Sequence, residues 1–223
     1  MDGPQSERLT TPEFIEALTT TLANARSEGE PYQSLAEKHL GPLEKILHKI
    51  ADERREIIAT ILRLQSNLEE LERQTNVAVQ NYADRIWEML GCPDYDPLYN
   101  ILFPPSSPKP QTFQTNADEL SLLAELLKSH VHPGIEPAQA NMIANELEAF
   151  VTQYDELLYP FSQQKSRQST LDALEASVAR AGLLELSALR RALRALGLDD
   201  SRIKSVVPPP VPSSRGLTNR SKG

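Results

Sequence analysis

The sequence predicts an all-α protein, an elongated helical bundle built around one long helix at about residues 42–90. Two observations support this fold class. Leu, Ala, Glu, Gln and Arg dominate the composition, whereas aromatic residues make up only 5 % and clusters of strand-forming residues are nearly absent. Apolar residues also recur at heptad spacing over a long stretch, as expected for a helix that packs against other helices.

The first helix is predicted to begin at Thr10, which has capping-box spacing to Glu13, and to end in the polar turn at residues 27–31. Gly41–Pro42 then predicts a kink or a fresh helix start, because proline lacks a backbone N–H and clashes inside a helix. The long helix that follows contains no Gly or Pro until Gly91, where a Gly-Cys-Pro sequence ends it.

The long helix carries two interleaved seven-residue strides of apolar residues on one side. This predicted interaction seam consists of Leu40, Leu43, Leu47, Ile50, Arg54, Ile57, Ile61, Leu64, Leu68 and Leu71. Arg54 is its polar exception, and we expect it to meet an acid within the chain or from another subunit. Ile58 and Leu62 widen the apolar face beyond a coiled-coil seam, which favours contact with two neighbouring helices.

The second half of the chain is predicted to contain four helices. A Pro-rich connection at residues 92–115 precedes it, and the apolar residues in its first part predict that it docks onto the helices. Within residues 116–198, one helix ends near His130 and Pro160 bends or ends the next. Gly182 then separates the last two helices.

This interpretation divides the chain into four parts. Residues 1–91 form an N-terminal helical half, and residues 116–198 form a C-terminal helical half after the connection. Residues 199–223 are rich in Pro, Ser and positive charge, which predicts a disordered basic tail. The pattern is compatible with one bundle or with two subdomains.

The net charge of −8 is distributed unevenly along the chain. Residues 1–200 carry 18 basic against 31 acidic residues, a net charge of −13, while the remaining residues carry +5. Because so acidic a folded part repels phosphate backbones, we expect no nucleic-acid binding. No run approaches about 18 apolar residues and no signal peptide is apparent, so we expect no membrane association. The lone Cys92 fits a reducing, cytoplasmic location.

No catalytic, cofactor-binding or metal site is predicted, and no cofactor is expected. His130 and His132 form an H-x-H pair at a helix end, where binding to the last carbonyls is favoured over metal coordination. Cys92 follows a helix end, whose partial negative charge disfavours a thiolate, so we expect an inert residue. The sequence contains no Gly-rich phosphate loop and no nucleophile elbow.

Basic residues of the predicted folded part concentrate near its end. This possible basic docking face consists of Arg180, Arg190, Arg191 and Arg194. One interpretation is a docking surface for an acidic partner. The favoured interpretation is a solvated face balanced by acids such as Glu175 and Glu185.

The leading functional hypothesis is a non-enzymatic structural or assembly protein that acts through helix–helix contacts, as a homo-oligomer or in a larger complex. Its expected partners are proteins, with self-association first. The alternative is an adaptor or chaperone-like module that holds a partner helix in an apolar groove. A metalloenzyme with a metal in its bundle core is a remote third possibility.

Overall fold

The computed structural model describes residues 11–104 and 113–208. Of these residues 86 % are helical and none lies in a strand, which confirms the all-α class. The helices are α1 (Thr11–Glu28), α2 (Tyr32–Met89), α3 (Pro97–Leu102), α4 (Phe113–Lys128), α5 (Pro137–Ala195) and α6 (Asp200–Val206). The predicted cap at Thr10 and residues 209–223 of the predicted tail lie outside the described residues.

The chain divides into two compact units, which we call unit 1 and unit 2. Unit 1 consists of Met1–Glu56 and Gln168–Gly223, and unit 2 consists of Ile57–Arg167. Each of the two long helices, α2 and α5, therefore contributes residues to both units.

The units differ from the predicted N-terminal and C-terminal halves, because α2 and α5 pair in antiparallel fashion. In unit 1, His39 Nδ1 of α2 lies 2.7 Å from Glu185 Oε2 of α5. In unit 2, Thr75 Oγ1 of α2 lies 3.2 Å from the Tyr154 hydroxyl of α5. Contacts that are far apart in sequence thus hold each unit together.

α2 continues through Pro42, and α5 continues through Pro160 and Gly182. No helix therefore starts at Pro42 or ends at Pro160, and the predicted break at Gly182 is wrong. A proline inside a helix costs about 3 kcal/mol. Around Pro42 this cost is offset by packing, because Leu40 before it is buried in the unit 1 core and Leu43 after it packs against that core. The end of the long helix at Met89 agrees with the prediction from Gly91, whose φ is +79°.

The core of unit 1 is formed by α1, α6 and one end of each long helix. Its central contact explains Gly182, since a β-carbon at this position would lie 1.9 Å from Cζ of Phe14. Phe14 is fully buried. Because Gly182 has no side chain, the ring of Phe14 can pack against the backbone of α5. The helix does not break there.

The start of the predicted disordered tail is also corrected. Asp199 caps α6, and its side chain accepts a hydrogen bond from the backbone N–H of Arg202. Ile203, Val206 and Val207 are buried in the unit 1 core. Three apolar residues at this spacing provide the burial that a short helix needs to stay folded.

The core of unit 2 is formed by α3, α4 and the other ends of the long helices. Its fully buried side chains include Leu68, Ile86, Ile143, Leu147 and Tyr154. Trp87 and Tyr99 pack with ring centroids 4.7 Å apart, which attaches α3 to the end of α2.

Candidate functional site

The interaction seam is largely buried within the chain itself. In unit 1, Leu40 shares a core with Leu189 of α5. In unit 2, Leu68 and Leu71 share a core with Leu147 of α5. The other seam residues are buried (Ile50, Ile57, Ile61, Leu64) or partly buried (Leu43, Leu47, Arg54). The apolar side chains of the seam therefore stabilise the fold of the chain itself.

Arg54 meets acids of the same chain, which resolves the prediction for this residue. Its Nη2 donates to Asp172 Oδ1 at 2.8 Å and to Glu175 Oε2 at 2.5 Å. Hydrogen bonding to Glu175 is the main cause that raises the pKa of Arg54. The guanidinium therefore fixes the register of α2 against α5 in unit 1.

The expectation that Ile58 and Leu62 contact a second neighbouring helix is wrong for the described part of the chain. Their side chains are 39 % and 60 % exposed, while Ile57 and Ile61 beside them are buried.

A concave surface lies in unit 2, between α2, α3 and α4. This unit 2 groove has a volume of about 750 Å³. Its walls are mostly hydrocarbon. It is lined by Thr75, Asn76, Val79, Gln80 and Ala83 of α2, by Tyr99 and Ile101–Pro104 of α3 and the residues after it, and by Asn116, Glu119, Leu120, Leu122, Leu123 and Leu126 of α4. A depression of this size and lining suits an apolar ligand or an apolar helix face.

The polar groups at one end of the groove are hydrogen-bonded to the protein. Thr75 Oγ1 lies 3.0 Å from the Leu71 carbonyl oxygen and 3.2 Å from the Tyr154 hydroxyl. Asn116 Nδ2 donates to Glu72 Oε1 at 2.8 Å. Burial raises the pKa of Tyr154, and the negative charge of Glu72 adds to this effect. These groups position α4 against the two long helices.

The α3 wall of the groove is held by Asp96 and His132. One carboxylate oxygen of Asp96 caps α3 by accepting from the backbone N–H groups of Leu98 and Tyr99, at 2.8 and 3.0 Å. The other lies 2.9 Å from His132 Nε2, and the Gly134 N–H donates to His132 Nδ1. Hydrogen bonding to His132 is the main cause that lowers the pKa of Asp96.

This arrangement corrects the role predicted for His132. The expected contact with the last carbonyls of the preceding helix is replaced by the contact with Asp96. Because the Gly134 N–H occupies Nδ1, the ring donates to Asp96 through Nε2. The pair connects the segment after α4 to the start of α3, whose later residues line the groove.

Charge differs sharply between the two units. Unit 2 contains 15 acidic and 7 basic residues, a net charge of −8, whereas unit 1 contains 16 of each. The groove lining includes one charged side chain, Glu119. Glu72 adjoins one end through Asn116, and Asp84 lies close enough to Tyr99 to raise the pKa of its hydroxyl, secondary to burial. The apolar groove thus has an acidic rim.

The four arginines of the possible basic docking face have different surroundings on α5. Arg190 Nη2 donates to the Pro208 carbonyl, and burial lowers its pKa. Arg194 pairs with Asp200 at 3.1 Å. Arg180 and Arg191 are exposed. Their use as a docking surface stays a prediction.

Other residues that could support chemistry lie apart from the groove lining. Cys92 is exposed and unpaired. Within residues 11–104 and 113–208, no three His, Cys, Asp or Glu side chains are grouped as metal ligands. In the same ranges, no helix combines the length and hydropathy needed to cross a bilayer.

Comparison with known protein families, with curated proteins and with solved structures found no match. The groove is therefore interpreted from its own residues. The groove is not apparent from the sequence, because its walls come from segments that are distant along the chain. One signal was present, namely the dense run of apolar residues around Tyr99 and Phe103 in a region otherwise rich in proline.

Proposed function

We propose that the protein is a non-enzymatic assembly protein that acts through helix–helix contacts, and that the unit 2 groove is its contact surface. The observation that carries this proposal is an apolar groove of about 750 Å³ on a chain whose heptad seam is already buried. A cytoplasmic setting belongs to the same proposal, because the exposed thiol of Cys92 is stable in a reducing compartment.

An amphipathic helix is the occupant that the lining favours. Val79, Leu122 and Leu126 present hydrocarbon from two sides, into which side chains at helical spacing can insert. The polar groups at the end of the groove are engaged with one another. Because these polar groups are already paired, contact with the apolar lining is the main source of affinity for the helix.

The test is binding of a synthetic amphipathic peptide of about 15 residues, long enough to form about four helical turns. A fluorescein-labelled peptide of Leu, Ala and Lys with Leu at i, i+3 and i+4 spacing is titrated with the protein, and anisotropy is measured. A peptide of the same composition with a scrambled order is the control ligand. We expect the patterned peptide to bind more tightly by about tenfold, which corresponds to about 1.4 kcal/mol.

Two matched protein variants locate the binding. Leu122→Glu places a carboxylate in the groove, and Leu62→Glu makes the same change outside it; the two leucines are 56 % and 60 % exposed. We expect Leu122→Glu to weaken binding of the patterned peptide about tenfold and Leu62→Glu to leave it unchanged. Equal binding by the wild type and Leu122→Glu would show that the groove does not hold a helix.

The alternative of an adaptor with a foreign partner uses the same groove and differs in the source of the helix. Native mass separates the two functions. A defined oligomer supports an assembly protein, while a monomer that binds the patterned peptide supports an adaptor.

A further inference from the structure

The acidic rim of the groove determines the charge of the helix that fits there. Glu72 and Asp84 flank the stretch of α2 that lines the groove, Thr75–Ala83, and lie 12 residues or about 18 Å apart along the helix axis. Glu119 lines the groove from α4. An occupant with basic residues about 18 Å apart and an apolar residue between them would complement both the charge and the lining.

The chain itself contains such a strip on α5, in unit 1. Arg180, Leu184 and Arg191 lie at helical spacing on one exposed face, and Leu184 is 72 % exposed. The two arginines are 11 residues apart, or about 16.5 Å. Between residues 176 and 198 the chain has a single acid, Glu185. That carboxylate contacts His39 of α2 and lies about 100° or more around the helix from each residue of the strip, so the strip itself carries two positive charges.

We propose that the occupant of the unit 2 groove is the strip Arg180–Leu184–Arg191 of a second copy of this chain. The proposal rests on the proposed function and names its partner. Leu184 enters the hydrocarbon of the groove, while Arg180 and Arg191 pair with the acids at its two ends. The relative polarity of the two helices decides which arginine meets Glu72 and which meets Asp84.

A contact between two different surfaces has a distinct consequence for assembly. Each copy carries both a groove and a strip, so every copy that binds one neighbour can bind another. Association therefore continues until a ring closes or a filament grows. Because ion pairs at the rim are exposed, assembly weakens as salt screens them.

The experiment is sedimentation velocity on the full chain over a range of concentrations, at low and high salt. Arg180→Glu with Arg191→Glu removes the strip and leaves the groove, whereas Leu122→Glu removes the groove and leaves the strip. Leu62→Glu is the matched control, as before. Circular dichroism verifies that each variant is folded. Asp84→Lys provides an independent groove variant that leaves the hydrocarbon lining unchanged.

The expected result has three parts. The wild type and Leu62→Glu increase in mass with concentration, and more strongly at low salt. Each interface variant alone has an apparent dissociation constant raised about tenfold or more. A mixture of the strip variant with a groove variant forms a one-to-one complex that does not grow further, since the pair retains one intact groove and one intact strip.

Other outcomes overturn the proposal. A wild type that stays monomeric at every concentration shows that the occupant is not a second copy. Association that neither variant weakens, or a mixture that forms no one-to-one complex, shows that the copies use other surfaces. The peptide titration remains an independent test in each case, because binding of the patterned peptide shows that the groove holds a helix whatever its source. For a chain that stays monomeric, that result supports the adaptor alternative.

Discussion

The contact between α2 and α5 is made differently in the two units. In unit 1 it includes an ionic cluster, Arg54 with Asp172 and Glu175, next to a core that α1 and α6 close. In unit 2 it includes a neutral pair, Thr75 and Tyr154, next to a groove that α3 and α4 leave open. The same two helices therefore support a tightly closed unit and a unit with an apolar surface available for binding.

Under the proposed function, this difference corresponds to a division of roles between the two units. Unit 1 has equal numbers of acidic and basic residues, and the ring of Phe14 packs directly against Gly182. Both features suit a scaffold. Unit 2 carries the entire net charge of −8 and the groove, which together suit recognition.

Phe14→Ala is expected to destabilise the protein by about 3–5 kcal/mol, because the deleted ring is fully buried and leaves a cavity beside Gly182. Chemical denaturation measures the loss, and native-state hydrogen exchange locates it. If the units are stabilised separately, amide protection falls in α1 and α6 while α4 keeps its protection. An equal loss of protection in α4 would contradict separate stabilisation.

Gly182→Ala provides the internal control for this contact. In the wild type it is expected to cost about 1–3 kcal/mol, because the new methyl group would overlap Phe14. In the Phe14→Ala background it should stabilise instead, by up to about 1 kcal/mol, from better helix propensity. Gly41→Ala, which meets only Glu37 Cβ at 4.0 Å, should stabilise α2 in either background.

The glycine shows where sequence reasoning fails. A glycine inside a helical pattern resembles a break when only neighbouring residues are considered. The residue that explains Gly182 is Phe14, which lies far away in sequence. The same holds for Pro42 and Pro160, whose local cost is visible in the sequence while the compensating packing is not.

Other features were predictable because their cause is local or periodic. The heptad spacing identified α2 and its buried side, and Gly91 identified its end. The acidic partner of Arg54 could be expected, since a charge within an apolar seam requires a counter-charge. The groove could not be predicted, because a gap between α2, α3 and α4 is a property of their relative placement.

Tyr154→Phe is expected to destabilise the protein by about 1–3 kcal/mol, an effect located in unit 2. The change removes the hydroxyl that contacts Thr75 inside the core and leaves a buried polar group without this partner. Thermal or chemical denaturation measures the effect. Tyr159→Phe is the matched control on α5, and its side chain is 69 % exposed, so a change within about 0.5 kcal/mol is expected.

A double-mutant cycle tests whether the contact between Tyr154 and Thr75 causes the loss of stability. Combining Tyr154→Phe with Thr75→Val should cost less than the sum of the two single changes, because the double variant removes both partners of the same hydrogen bond. Strictly additive losses would show that the two side chains stabilise the fold independently. A larger effect of Tyr159→Phe than of Tyr154→Phe would contradict the buried hydrogen bond altogether.

The smallest effect is expected at the α3 wall of the groove, where Asp96 makes the fold sensitive to acid. Its pKa is lowered in the folded protein, chiefly by the hydrogen bond with His132. The stability that this carboxylate adds is therefore present above its unfolded pKa of about 3.9 and is lost as pH falls through the lower folded value. Protonation weakens both the helix cap and the contact that holds α3.

Trp87 is the reporter for this step, since it is the single tryptophan of the chain and packs on Tyr99 of α3. We expect its emission to change below about pH 4 in the wild type. In Asp96→Asn the emission should already be shifted at neutral pH and should depend less on acid, whereas Asp94→Asn should titrate like the wild type. If Asp96→Asn and the wild type titrate identically, α3 is held by its aromatic contacts alone. The groove would then keep its wall in acid, and the patterned peptide would still bind there.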